Sequence, residues 1–461
     1  MGTVMKLAVI LAGGASLLVL PWGGLNGDPA YAAQQRPNII FVFSNDQDAS
    51  TLGFMPYVGR KLRASATTYP NATFNYSLCC PSRTSVLRGQ YTHNHGVWDN
   101  VEPEGGYQKF TELGLDRSIF PQWLHASGYQ TGEFGYYVNG FKPTQDGTPA
   151  GWDKFVYHGR DYDGGLLPGD VYKDEAIKDN AVRWLTESLR KGPLFMWVSF
   201  YAPHPPYAYD PHYADRFQNT QLPTPPSFNE QDISDKPEYV SHWPLMSDAD
   251  ISALESNFRD RLRGLLTVDD GVHSIVGALA KAGELDNTYI FYWTDNGYEF
   301  GQHRLLYKKH AYVESISFPL LISGPGVRRG ATDNRIVMNQ DLAPTFADLA
   351  NARVPAFVDG RSMVPIFGGG HTWRNYGLIE APDPANPKNP TSYRGIRDEN
   401  YTYVEYADGF KEFYNLTKDP YQLNNSYLSL TDTQRANLHT RLAALEGCSR
   451  DECRGAEGAQ R

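Results

Sequence analysis

Three runs decide what this chain can fold into: Asn38-Ile39-Ile40-Phe41-Val42-Phe43, Pro193-Leu194-Phe195-Met196-Trp197-Val198-Ser199-Phe200, and the stretch from Asn287 to Trp293. Each is short, nearly continuous in apolar residues and rich in β-formers, without polar alternation. Such strands are buried on both faces, as in a mainly parallel sheet covered by helices. The segments between them supply the cover, because Ile119–Ala126, Asp174–Arg190, Asp248–Ala282 and Asp341–Ala350 read as helices. Tyr129–Phe134 and Phe318–Ile322 read as further strands. The expected architecture is α/β.

Each long run ends in a polar cluster. The first delivers Ser44-Asn45-Asp46-Gln47-Asp48, the second Ala202-Pro203-His204-Pro205-Pro206, the third Thr294-Asp295-Asn296-Gly297. Open α/β sheets place ligands outside the carboxyl ends of their strands, so these clusters are candidates for one site. Oxygen side chains at two of the ends, Asn45-Asp46 and Asp295-Asn296, suit a hard cation such as Ca²⁺ or Mg²⁺ better than zinc. A plain capped loop remains the alternative for each segment taken alone. His93 and His95, in Thr92-His93-Asn94-His95-Gly96, have metal-pair spacing but are assigned to hydrogen-bonded loop structure.

Two of the chain's four cysteines stand together in Ser77-Leu78-Cys79-Cys80-Pro81-Ser82-Arg83-Thr84-Ser85. Pro81 fixes φ and lacks an N–H, so a helix can begin directly behind the cysteine pair, with Arg83 in its first turn. Unpaired amides at a helix start favour an anion there. A structural disulfide or an inert buried thiol is the competing account of Cys-Cys-Pro. Cys448 and Cys453 are close enough in sequence to bridge, which leaves Cys79 and Cys80 unmatched.

Residues 1–32 read as a secretory signal peptide: a lysine at position 6, an apolar run from Leu7 to Trp22, and Ala30-Tyr31-Ala32 as the cleavage site. The expected product is secreted, extracellular and without a membrane anchor. A net charge of −10 argues against a nucleic-acid partner, which needs a basic face. The remaining chain of about 430 residues divides into a large catalytic domain at 36–370 and a smaller C-terminal one at 371–461. In the smaller part Tyr401–Tyr406 and Lys411–Tyr414 suggest an antiparallel sheet, and Leu430–Leu445 a terminal helix. Residues 207–245, rich in proline and polar groups, read as a long surface loop beside the site.

The Cys-x-Pro-Ser-Arg motif at Cys79–Arg83 resembles the sulfatase signature. So do the Arg-Pro-Asn strand opening, Ala-Pro-His, Thr-Asp-Asn-Gly, the lysine and glutamate at Lys309 and Glu314, and Tyr-Asn-Leu-x-x-Asp-Pro at 414–420. The resemblance is to sulfatases of the alkaline-phosphatase-like superfamily, and the doubled cysteine is closest to the glucosamine-6-sulfatase branch. It implies a large mixed sheet flanked by helices, with a small C-terminal α+β part. It implies that a formylglycine-generating enzyme oxidises Cys79 to formylglycine, the nucleophile precursor being Cys79. One calcium ion would be held by Asn45, Asp46, Asp295 and Asn296. Arg83 would position the nucleophile, and His204 and Lys309 would bind sulfate and assist the departing alcohol.

The pattern breaks at two places. Asn45 stands where the family has a second aspartate, so the four ligands carry −2 rather than −3, from Asp46 and Asp295 alone. Gly135-Tyr136-Tyr137 stands where the family has Gly-Lys-Trp or Gly-Lys-Tyr, with Asn139 nearby in place of a histidine. Tyr136 and Asn139 are therefore expected at the substrate, and Tyr136 brings no charge at neutral pH. The leading expectation is a secreted sulfuric ester hydrolase acting on sulfated sugars or glycosaminoglycans. The alternatives are a sulfated-glycan-binding protein derived from one, or a related phosphonate or phosphate monoester hydrolase.

Overall fold

The structure, a computed structural model, describes residues 36–158, 166–167, 171–381 and 392–458. The expected signal peptide lies outside the described residues. Eight strands make the main sheet: β1 (Asn38–Ser44), β2 (Thr67–Tyr69), β3 (Gln130–Gly135), β4 (Lys154–Tyr157), β5 (Leu194–Ser199), β6 (Thr288–Thr294), β7 (Leu320–Ser323) and β8 (Ala331–Thr332). Their spatial order is β8-β2-β7-β6-β1-β5-β3-β4. The three long apolar runs sit together at its centre, with β1 parallel to both β5 and β6 and every residue of the three buried. β7 runs antiparallel to β6 and to β2, which makes the sheet mixed.

The pleat sorts side chains onto two covered faces. Phe41 and Trp197 are register partners on one face, met by Phe120 of α2 (Phe120–Ala126) and Phe346 of α5 (Leu342–Leu349). α1 (Cys79–Arg88) lies on this side too, with all ten of its residues buried, and it ends at Gly89 in the left-handed region, φ 68°. On the opposite face Phe134 meets Trp184 of α3 (Lys173–Ser188), and α3 packs against the 35-residue α4 (Asp248–Ala282). Both layers are needed, since a strand that is apolar on both faces must be covered twice.

A four-stranded antiparallel sheet, β9 (Tyr376–Ala381), β10 (Tyr393–Asp398), β11 (Tyr401–Tyr406) and β12 (Lys411–Asn415), carries α6 (Asp432–Glu446) and then α7 (Asp451–Ala456). Cys448 and Cys453 form the expected disulfide, and Cys79 and Cys80 are free. The described residues make one compact unit. A buried ionic cluster ties its C-terminal part to the rest: Arg374 donates to both oxygens of Asp341 at 2.6 Å and to Glu457 at 3.0 Å, and the Tyr91 hydroxyl donates to Glu457 at 2.6 Å. No helix among the described residues is long and apolar enough to cross a membrane.

The segment 207–245 is irregular, as expected, but it is not simply a surface loop. Ser227, Glu230, Ile233, Lys236 and Val240 are buried. The charged pair is satisfied inside: His303 meets Glu230 at 2.6 Å, and Lys236 donates to Asp235 at 2.7 Å and to the Leu423 carbonyl at 2.8 Å.

Candidate active site

The ends of β1 and β6 lie side by side, so register alone brings the two acidic clusters together: Ser44 pairs with Thr294, and the Asp46 amide donates to Asp295 Oδ1 at 3.0 Å. Asp46 adopts φ 61°, a left-handed conformation that aspartate tolerates better than most residues. Arg261, fully buried on α4, holds the turn by donating to the Asp46 carbonyl at 2.7 Å and to Asp48 at 2.9 Å. Arg261 carried no sequence signal beyond being a charge within an otherwise apolar helix face.

Cys79 opens α1 directly opposite this turn. Its Sγ lies 3.9 Å from Asn45 Oδ1 and 3.9 Å from Asp46 Oδ1. The Lys308 ammonium reaches Sγ at 2.8 Å and also donates to Asp46 Oδ1. Burial alone would lower the Lys308 pKa, but Asp46 and Cys79 outweigh it and hold the amine protonated. Burial likewise pushes Asp46 upward, yet Lys308 and His204 keep its carboxyl well below the usual range. The Cys79 thiol is pushed up to about 12, with burial the largest cause and Lys308 opposing it.

Arg83 lies one turn into α1 and is completely buried. It donates to Asp295 at 3.1 Å, to the carbonyls of Tyr136 and Tyr137 at 2.5 and 3.1 Å, and to Ser199 Oγ at 2.8 Å. The guanidinium stacks between Phe43, 5.2 Å away, and the ring of Tyr136, 4.7 Å away. Its Nη2 has no hydrogen-bond partner among the described residues.

His204 Nε2 lies 3.6 Å from Asp46 Oδ2, and its Nδ1 faces the Pro205 carbonyl at 2.5 Å. The turn that carries it hangs from α3: Asp174 accepts the consecutive amides of Tyr201 and Ala202, each at 2.7 Å. The structure thus gathers Asn45, Asp46, Cys79, Arg83, His204, Asp295 and Asn296 at one place.

Lys309 is not among them. Its amine lies 3.7 Å from Asp99, half exposed, and its neighbour Lys308 reaches the cysteine in its stead. The cause is a turn of the backbone, with both Tyr307 (φ 77°) and Lys309 (φ 79°) in the left-handed region, fixed by Lys309 N–H donating to Ser77 O at 3.1 Å. His310, paired with buried Glu299, anchors the next residue. Neither tyrosine nor lysine signals positive φ, so the sequence could not say which of two adjacent lysines turns inward. His93 and His95 are structural, as expected: His93 meets Glu380 at 3.0 Å and His95 meets Ser85 at 3.0 Å.

The donor set fits a hard cation. Asp46 and Asp295 are buried, Asn296 Oδ1 is buried without a partner among the described residues, and Asn45 Oδ1 faces the same point as Cys79. Ligand atoms of Asp46, Cys79 and His204 lie within 4.8 Å of one another. Beside this cluster opens a cavity of about 950 Å³, lined among others by Asn100, Tyr107, Tyr136, Asn139 and Tyr157. Asn100 Oδ1 accepts the Cys80 amide at 2.8 Å, so the cavity adjoins the cysteine pair. Asn139 Oδ1, buried and without a partner among the described residues, belongs to a residue of the cavity wall.

Residues 37–352 match the Sulfatase family model, and residues 301–447 match the model described as N-sulphoglucosamine sulphohydrolase, C-terminal. The chain belongs to the sulfatase family. Among the curated sulfatases it is 32% identical to N-acetylglucosamine-6-sulfatase of Capra hircus, over 94% of this chain and 87% of that one. It is 30% identical to the arylsulfatase of Volvox carteri, over 92% of this chain and 76% of that one. The fold of this sulfatase is like that of BT4656, solved in complex with its substrate D-glucosamine-2-N,6-O-disulfate, with TM-score 0.73, 23% identity, 92% of this chain and 98% of that one. A phosphonate monoester hydrolase of Agrobacterium radiobacter shares the fold at TM-score 0.69 and 20% identity, over 89% of this chain and 95% of that one. The match to the Sulfatase family model places the chain among the sulfatases of the alkaline-phosphatase-like superfamily, and Cys79, Arg83 and Lys308 all lie inside the region that this model covers.

Proposed function

We propose that this sulfatase hydrolyses sulfate esters of sugars outside the cell, with Cys79 as the residue converted to formylglycine by a dedicated oxidising enzyme. The observation that carries the reading is the approach of Lys308 to Cys79 Sγ at 2.8 Å, beside buried Asp46 and Asp295. Formylglycine would supply an oxygen nucleophile that a buried, protonated thiol does not. Asn45, Asp46, Asp295 and Asn296 would hold a calcium ion, whose charge would draw electron density from a sulfate oxygen.

This chain's own residues account for the remaining work. Hydrolysis breaks one sulfur–oxygen bond; water's oxygen ends on sulfur and a proton ends on the sugar oxygen. Lys308 presents a permanent cation where negative charge collects on the sulfate oxygens. Arg83, locked by its bonds to Asp295, Ser199 and two carbonyls, orients the side chain at position 79 from behind. His204, near Asp46, would hold the proton for the departing alcohol. In the cavity Tyr107, Tyr136 and Tyr157 offer aromatic surface, and Asn139 a polar contact, suited to a sugar ring. The likeness to N-acetylglucosamine-6-sulfatase favours a 6-sulfated glucosamine over a simple aryl sulfate as the natural ester.

The test is a mass spectrum of the peptide containing Cys79, paired with turnover of glucosamine 6-sulfate, an aryl sulfate and an aryl phosphonate. Conversion at Cys79 with sulfate-ester turnover is expected. Full conversion with phosphonate turnover alone would move the protein to the phosphonate hydrolases, and conversion with tight glycan binding but no turnover would make it a binding protein.

A further inference from the structure

Glu133 stands on β3, one strand in from the edge of the main sheet, fully buried, in a position where an apolar residue is expected. In the parallel register of β3 with β5 it lies beside Trp197, and Gly135, two residues on, lies beside Ser199. Ser199 is the residue whose hydroxyl accepts from Arg83, and Phe43, its partner on β1, carries the guanidinium on its ring. Side chains two apart share a face, so Glu133 lies on the Arg83 face, one pleat behind the arginine, about 7 Å along the strand. Neither oxygen of the Glu133 carboxyl has a hydrogen-bond partner among the described residues, and the same is true of Arg83 Nη2 and Trp197 Nε1. Burial pushes this carboxyl well above its usual range, and Arg83 is the charge that pulls the other way.

A buried carboxyl without partners costs stability, and a leucine of similar length would pack there at less cost. Groups held against stability are characteristic of sites where orientation or charge matters more than packing. We propose that Glu133 is a positioning residue for Arg83: its carboxyl draws the unpartnered Nη2 edge of the guanidinium and so fixes the tilt at which Arg83 faces position 79. The four bonds already described hold Nε and Nη1, which leaves rotation about that edge to be set from behind. The inference rests on the role proposed above for Arg83.

Glu133→Leu and Glu133→Gln, made in the full chain with calcium present and conversion at Cys79 verified in each sample, separate a positioning role from a packing role. Glu133→Leu is expected to lower kcat on an activated aryl sulfate at least about tenfold, while its thermal midpoint stays level or rises. Glu133→Gln keeps an acceptor oxygen and is expected to recover to within about threefold of wild type. Unchanged kcat in the leucine variant overturns the proposal. A fall in midpoint together with activity, not rescued by glutamine, also overturns it. A crystal structure of Glu133→Leu reads Arg83 directly even if the wild type proves inactive, an outcome that would count against the enzymatic reading alone. A guanidinium displaced from the Tyr136 carbonyl supports the proposal and an unmoved one rejects it.

Discussion

Lys308 and Cys79 come from segments 229 residues apart, yet the ammonium stands 2.8 Å from the sulfur, with Asp46 gripping its other side. Loss of one such charge from a preorganised site costs roughly 3–4 kcal/mol of transition-state stabilisation, by analogy with oxyanion-hole donors. That is about two to three powers of ten in rate. Lys308→Ala is therefore expected to lose about a hundredfold or more in kcat on an aryl sulfate, and Lys309→Ala less than about threefold. Steady-state kinetics on the two variants decide between neighbours, and the opposite ranking would return the role to Lys309.

The two cysteines should behave differently despite being adjacent. Cys79 faces Lys308 and the Asn45-Asp46 turn, whereas Cys80 packs in the hydrophobic core, with its amide held by Asn100. Cys79→Ala is expected to abolish sulfate-ester hydrolysis and Cys80→Ala to retain most of it. A progress curve on each purified variant is enough to tell.

At the acidic turn, a third carboxylate should act in opposite directions with and without metal. Asn45→Asp adds an anionic ligand, so half-saturation by calcium is expected at least about tenfold lower, about 1.4 kcal/mol. In chelator the same variant should melt below wild type, because Asp46 and Asp295 are already buried beside it. Calorimetry with calcium and with chelator reads both arms, and identical curves for both proteins would remove Asn45 from the ligand set.

Tyr136 matters here through its ring. The guanidinium of Arg83 stacks on it at 4.7 Å, and a buried contact of that kind is worth on the order of 1–2 kcal/mol. Tyr136→Phe should stay within about threefold of wild-type kcat, while Tyr136→Ala should lose about tenfold. Equal losses in the two variants would shift the role to the hydroxyl and thus to the cavity.

His93 gives the protein a pH-dependent attachment of its C-terminal part. The imidazole meets Glu380 of β9 at 3.0 Å and the Cys448 carbonyl at 3.0 Å, and Asp359 also faces it. Burial alone would lower its pKa, but Glu380 outweighs that and raises it to about 8. The folded value exceeds the unfolded one, so the stabilisation is complete below about pH 6.5 and disappears as pH rises through 8. About 2 kcal/mol is at stake, at 1.36 per pH unit. Urea midpoints of wild type should fall between pH 6 and 9 by more than those of His93→Gln, and parallel curves would dismiss the pair.

The central sheet was legible because three runs were apolar on both faces, a pattern only a doubly covered strand requires. The ends of those strands also located Asn45, Asp46, His204, Asp295 and Asn296, since register does the rest. The helix expected over Asp248–Ala282 coincides with α4, which the structure shows capped by Ser247 and Asp250 and ended at left-handed Gly283. What could not be read depends on tertiary geometry without a local signature. Lys308 was hidden by a left-handed turn built from tyrosine and lysine. Arg261 was one charge among several on a long helix. Glu133 sat in a strand-like stretch whose orientation relative to Arg83 only the parallel register reveals. The 207–245 segment looked like surface because its buried charges find partners from distant chain.

Cys79 is the first residue of a helix whose ten residues are all buried, and 1% of its own surface is exposed. No second enzyme can close its active site around such a residue once the sheet and helices have formed over it. On the function proposed above, the enzyme that oxidises Cys79 would therefore meet this stretch as extended chain, and oxidation would be a race against folding. Molecules that fold first are locked in the thiol form, so a preparation made quickly and abundantly should hold a well-folded, inactive fraction that no later treatment with the oxidising enzyme rescues.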